Sequence, residues 1–177
     1  LPNDSSYQQF EKRQLHLYQI KFLEKGNNKL LAMDKIQYTL RGVSIEQFAT
    51  LSEPSGDDIQ LNLDIPVRTN YLDRAIAIGA KIQFLEENKP FLIIEVTCHY
   101  TIEESCWIEL TDTYSKDAIL PKKFVNQLVC IAISTTRGAL CAKTENTPFS
   151  SILLPIVEIP EETGEDVIIP FVPRDCD

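Results

Sequence analysis

Between Leu61 and Ile102 the chain alternates apolar and polar residues, and the alternation predicts antiparallel strands. Leu61, Leu63, Ile65 and Val67 are interleaved with Asn62, Asp64, Pro66 and Arg68, a half-buried strand with an edge-like proline. Ile76, Ile78, Ala80, Ile82 and Phe84 form a second series, and Glu86-Glu87-Asn88-Lys89-Pro90 reads as the turn that follows it. The third series, Phe91 to Ile102, is the longest. Successive strand side chains point to opposite faces, so Leu92, Ile94, Val96, Cys98, Tyr100 and Ile102 share one face. Phe91, Ile93, Glu95, Thr97, His99 and Thr101 share the other, which is mostly polar. One face toward a core and one toward water is the pattern of an antiparallel sheet.

Weaker signals flank this region. Gln14 to Glu24 reads as a strand, Lys25-Gly26-Asn27-Asn28 as a turn, and Cys106 to Leu110 as a further strand. Lys29 to Leu51 is ambiguous: Ser44-Ile45-Glu46-Gln47 resembles a helix N-cap followed by a carboxylate, enough for a turn or two of helix. Glu53 to Asp58 reads as a loop.

After the strands the period changes. Pro121 suits a first helical turn, and Phe124, Val125, Leu128, Ala132, Thr135 and Ala139 recur at three- and four-residue spacing. Val129, Ile131 and Ile133 widen the apolar stripe beyond one face, as expected of a deeply buried helix or one shared with another subunit. Gly138 marks either the end of this helix or a close crossing, with continuation toward Asn146 open. The fold class that follows is α+β: an antiparallel four-stranded sheet packed with one long helix in the C-terminal half. Residues 1–157 are expected to form a single domain and 158–177 an acidic, proline-containing tail.

Composition narrows the functional classes. The net charge is −9, and Glu158 to Asp177 holds seven acids against Arg174 alone, a net −6. A nucleic-acid partner is not expected, because phosphate binding needs clustered Lys and Arg. The tail reads as a solvated end or as a docking strip for a basic partner. The five cysteines form no C-x-x-C pair, which suggests free thiols in a reducing, cytoplasmic setting. No run approaches the length expected of a membrane span, and Leu1 to Ser6 does not resemble a signal peptide. Asn3-Asp4-Ser5 fits a glycosylation sequon.

The chemistry-bearing residues suggest no reaction. Cys98 and His99 place a nucleophile next to a base in sequence, but neighbours on a strand face opposite ways. The spacings of a zinc site and the glycines of a phosphate loop are missing, so no metal or cofactor is expected. Glu86-Glu87 and Glu103-Glu104 are paired carboxylates at expected turns, where water accounts for them.

Several short motifs, in order, resemble the SecB-type chaperones. Phe91-Leu92-Ile93-Ile94-Glu95-Val96 resembles the family's Phe-Leu-x-Glu-Val strand with one residue extra. Ile119-Leu120-Pro121 resembles its Leu-Phe-Pro helix start, Thr136-Arg137-Gly138 its Thr/Ser-Arg-Gly signature, and Leu154-Pro155-Ile156-Val157 its Ala-Pro-Val stretch. The resemblance spans about Gln14 to Val157. It implies a non-enzymatic holdase that binds unfolded or extended polypeptides without ATP, as a homotetramer or homodimer. It further implies a helix-borne subunit interface at Phe124, Leu128, Ala132 and Arg137, and a partner-docking role for Glu95 and, beside it, Ile93. The implied partners are exported proteins and an export motor, or an antitoxin-type client. Two departures stand out: about eight extra residues between Gly138 and Pro148-Phe149, and Glu158–Asp177 in place of the family's final helix and metal-contacting tail. The alternative from another class is a scaffold or assembly protein that binds one dedicated folded partner.

Overall fold

The computed structural model describes residues 16–17, 36–56, 58–157, 159 and 166–170. Within them the chain is α+β: a largely antiparallel sheet with a long helix across one face. The strands are β1 (His16–Leu17), β2 (Tyr38–Thr50), β3 (Gln60–Asp64), β4 (Val67–Asn70), β5 (Ala75–Glu86) and β6 (Lys89–Ile102). They lie in the order β1-β3-β5-β6-β2, with β4 also paired to β5. β3 and β4 occupy successive parts of β5, so they are one row of the sheet interrupted at Ile65-Pro66. The sheet thus has four long rows. β3/β4, β5 and β6 match strands expected between Leu61 and Ile102; the fourth, β2, falls in the stretch whose pattern was ambiguous, and β1 adds a two-residue parallel pairing outside β3.

The interruption at Pro66 has a local cause. Proline offers no N–H to the ladder, and its carbonyl instead accepts from Gly79 N–H at 2.8 Å. A Cβ at Gly79 would lie 2.6 Å from Pro66 Cγ, so only glycine permits this approach.

β5 and β6 form a hairpin whose turn residues Glu87 and Asn88 have φ of 49° and 62°. Two positive-φ residues are what a tight hairpin needs to match strand twist. Just after it the pairing skips from Leu85↔Pro90 to Phe84↔Leu92, leaving Phe91 as the extra residue of a bulge. Phe91 thereby turns to the core side, 1% exposed and against Phe84, and not to the outer face that strict alternation assigned it.

Two local expectations are overturned. Ser44 to Gln47 is not a helix start but the middle of β2, which pairs with β6 from Tyr38↔Ile102 to Thr50↔Leu92 with bulges at Arg41 and Glu46. The cap-like Ser44 does bond a carboxylate, that of Glu46, but long-range pairing along the whole strand outweighs a single cap. Cys106 to Leu110 is not a strand but lies in the short helix α1 (Glu104–Leu110). Cys106, Trp107 and Leu110 are buried at positions i, i+1 and i+4, one side of a helix.

The long helix α2 (Lys122–Thr144) starts directly after Pro121 and runs through Gly138. Gly138 is exposed with open space around it, so it neither ends the helix nor serves a close crossing in this chain. Thr136 and Thr144, both buried, satisfy their hydroxyls on the carbonyls of Ala132 and Leu140 one turn back. α2 packs mainly on β5 and β6, and its buried residues seal Ile76, Ile78, Ile82, Leu92 and Ile94 at 0% exposure. Contrary to the expectation that no run approaches a membrane span, α2 is, among the described helices, long and apolar enough for one by length and composition; its buried side faces the sheet.

Part of the segment read as an acidic tail joins the fold. β7 (Ala118–Leu120) pairs antiparallel with β8 (Val167–Ile169), and Val167 and Ile169 are buried. Burial also raises the Asp166 pKa at the start of this strand. The rest of the expected Gln14–Glu24 strand, the Lys25–Asn28 turn, the Asn3 sequon, Cys176 and most of 158–177 lie outside the described residues.

Candidate functional site

The site is built on β2, which pairs with β6 on one side and ends the sheet among the described residues. The register puts Tyr38, Leu40, Val43, Ile45 and Phe48 opposite Ile102, Tyr100, Cys98, Val96 and Ile94, the core-side row of β6. These β2 residues therefore point to the same face as the core. α2 reaches the start of the row. Tyr38 packs edge-on against Tyr100 (5.8 Å) and Phe124 (5.3 Å), and its hydroxyl accepts from Gln127 Nε2 at 3.0 Å. Beyond it Leu40, Val43 and Ile45 are 48%, 48% and 44% exposed, until Phe48 packs back partly on the core. Among the described residues, no strand pairs with the other edge of β2, and its three aliphatic side chains in a row form an apolar strip beside that edge.

The loop after β2 is held in place at its far end. Leu51 N–H donates to Phe91 O at 2.8 Å, and the Glu86 carboxylate accepts from Ser55 N–H at 3.1 Å and Ser55 Oγ at 3.0 Å. These bonds, the backbone one foremost, hold the Glu86 pKa below its ordinary value. Bulges at Arg41 and Glu46 add local twist to the edge without covering it.

The opposite, outer face is more closed than alternation suggests. Ile93 is 8% and Thr97 4% exposed, and Glu95 keeps only 14% of its side chain exposed with Lys81 Nζ 3.6 Å away. Glu95 and Ile93 do share this face, flanked by Gln47 and Ala49 of β2. An open depression of about 370 Å³ beside them is lined by Asn62, Leu63, Asp64, Lys81 and Gln83.

The structure does not bring the four helix residues to the surface together. Phe124, Leu128 and Ala132 are 1%, 0% and 0% exposed, turned onto the sheet of their own chain. The outward side of α2 carries Gln127, Cys130, Ser134 and Cys141 instead. Arg137 points elsewhere again: its Nε and Nη2 donate to the carbonyls of Leu154 (3.2 Å) and Pro155 (3.0 Å). The Thr-Arg-Gly signature and the Leu-Pro-Ile-Val exit are thus in contact with one another within the chain.

No catalytic arrangement is visible in these groups. Cys98 is buried at 0% exposure, while His99 emerges on the other face. His99 Nε2 lies 2.8 Å from Ser44 Oγ, whose proton goes to Glu46. A serine nucleophile needs the reverse order, with histidine accepting its proton and a carboxylate behind the histidine. Burial drives the Tyr100 hydroxyl far above the ordinary phenol range, so it stays protonated. Cys98, Cys106, Cys130 and Cys141 are not joined in disulfides, and no cluster of three metal-ligating side chains occurs among the described residues. The exposed row on β2 was missed in the sequence because its bulges break the alternation that would have announced it.

What the described residues define is an α+β protein whose last strand carries a half-exposed apolar row. No family model matches the sequence, and none of the curated proteins matches it either. Among solved structures the chain is similar to a SecB-like chaperone of Mycobacterium tuberculosis, solved in complex with a ChAD peptide from the HigA1 antitoxin. The superposition has a TM-score of 0.43 at 8% identity and covers 68% of this chain and 90% of that one. The fold class stated above rests on the strands and the helix themselves.

Proposed function

We propose that this protein is a non-enzymatic chaperone that holds extended, apolar stretches of unfolded polypeptide without nucleotide. The observation that carries the reading is the row Leu40, Val43 and Ile45, half exposed on the core-side face of an edge strand that α2 leaves uncovered. An extended client would pair its backbone with β2 and lay alternate apolar side chains on that row. Such contacts need no exact shape, which suits broad client choice. The clients would be exported or antitoxin-type proteins, and the setting the cytoplasm. Assembly as a homodimer or homotetramer through α2 would use the outward Gln127, Cys130, Ser134 and Cys141. A further partner docking on the outer face would meet Glu95 with Lys81 already beside it.

The test is light scattering of an unrelated, chemically denatured protein diluted into buffer without nucleotide. The wild-type chain should suppress aggregation, and the variant Leu40→Thr/Val43→Thr/Ile45→Thr should lose most of that effect while keeping its fold by circular dichroism. Equal suppression by both would remove β2 as the client site. No suppression by the wild type would overturn the chaperone reading in favour of one dedicated partner.

A further inference from the structure

After α2 the chain turns at Thr147 and runs back over its own core as an irregular strap to Val157. The turn is fixed locally: Thr147 Oγ1 donates to Thr144 O at 2.7 Å and accepts from Phe149 N–H at 3.2 Å. Beyond it Phe149, Ile152 and Leu154 are 7%, 9% and 4% exposed, whereas Leu153 and Ile156 stand out at 59% and 84%. Phe149 stacks on Phe91 with ring centroids 6.5 Å apart and planes 15° from parallel, covering the bulge at the end of the β5–β6 hairpin. The strap belongs to neither sheet. At its far end it is gripped by Arg137, whose guanidinium spans the successive carbonyls of Leu154 and Pro155.

The strap turns repeatedly from Thr147 to Ile152, contains Pro148 and Pro155, and buries Phe149, Ile152 and Leu154 at intervals, so it fills with apolar side chains a place that an apolar client stretch could fill. We infer that the 147–157 strap is a built-in pseudo-client, latched by Arg137 over an apolar cleft floored by Phe91, and that its release opens this cleft to extended apolar polypeptide. The inference rests on the chaperone reading for its biological meaning, but the latch can be tested separately. A cleft that is free in only a small fraction of molecules binds more weakly by that fraction, so loosening the latch raises apparent affinity. Two hydrogen bonds from a charged donor are enough to set such a fraction. Arg137 is here a positioning residue: it holds the strap and need not touch a client. The Thr147 turn, left intact, serves as the hinge.

The probe is a fluorescein-labelled peptide with the sequence of residues 147–157, titrated into the full chain and into Arg137→Ala, with anisotropy as readout. Hydrogen exchange of 149–155 is followed in parallel to show that the strap is freed. Binding to Arg137→Ala should be about ten-fold tighter than to wild type, equivalent to about 1.4 kcal/mol of lost anchoring. Arg137→Lys, which keeps the charge but cannot span two carbonyls, should fall between them and serves if the alanine variant fails to fold. Equal affinity for all chains despite a freed strap would overturn the latch. A permanently unfolded, reduced and alkylated protein is then added as competitor. Its displacement of the peptide supports a shared cleft. If it binds the chain but never competes, the pseudo-client inference fails and the chaperone reading stands. If it binds no chain while the peptide binds Arg137→Ala, the latch stands and the chaperone reading fails.

Discussion

Two parts of one sheet face meet different fates. On β5 and β6, Ile76, Ile78, Ile82, Leu92 and Ile94 lie under α2 with no exposure at all. One strand over, on the same face, Leu40, Val43 and Ile45 keep 44–48% of their surface. The side-chain chemistry is the same in both places, so the difference comes from where a single helix lies. α2 sits over the sheet centre, meets β2 where Tyr38 touches Phe124 and Gln127, and leaves Leu40, Val43 and Ile45 about half exposed. The covered half supplies stability. The uncovered half supplies a surface.

That contrast is sharpest in the cost of truncation. Leu128→Ala, at the centre of the covered half, should lower unfolding free energy by about 2–5 kcal/mol in a urea titration, as expected for a cavity in a packed core. Ile45→Thr on the open strip should stay within about 0.5 kcal/mol of wild type by the same titration. Equal losses at the two positions would mean that β2 is buried in solution, for instance by a second subunit, and would erase the distinction.

A smaller loss is expected where the sheet is pinched from its outer side. Gly79→Ala would push a methyl into Pro66 Cγ, which belongs to a ring that cannot swing away. About 1–3 kcal/mol of destabilisation is the usual cost of such overpacking, again read by urea titration. No change would show that the β3–β4 row moves freely at its interruption.

The smallest effect concerns the loop that follows β2. Glu86 is held below its ordinary pKa of 4.5 chiefly by the Ser55 backbone N–H. Its folded pKa is depressed, so the anchoring is fully present above the unfolded value near 4.5 and is lost as pH falls through the lower folded value. Hydrogen exchange at Ser55 and Gly56 should therefore lose protection in mild acid, once corrected for intrinsic exchange, while β5 and β6 keep theirs. Glu86→Gln should lose most of that pH dependence.

What was legible in the sequence follows from the same contrast. Alternation through β5 and β6 and the helical period of α2 are strong because each element buries one regular face, and both were readable residue by residue. β2 was not, since its two bulges put Leu40, Val43 and Ile45 at spacings that no simple period describes. Phe91 was assigned to the wrong face for the same reason, a bulge that alternation cannot anticipate. α1 was taken for a strand because seven residues with three buried positions give too little pattern to tell the two apart. For the helix the apolar stripe itself was visible, but periodicity reports that a face is apolar, not whether sheet or subunit covers it. Phe124, Leu128 and Ala132 proved to face the sheet. The Arg137 contact with Leu154 and Pro155 joins residues 17 and 18 apart, which local pattern does not encode.

The most direct test of the central claim is hydrogen exchange of the intact protein with and without a saturating, permanently unfolded client. If β2 is the client strand, backbone amides of Tyr38–Thr50 that face away from β6 should gain protection on binding, while the outward side of α2 stays unchanged. A saturated complex in which β2 exchanges as in the free protein would contradict the account and move the client site elsewhere on the molecule.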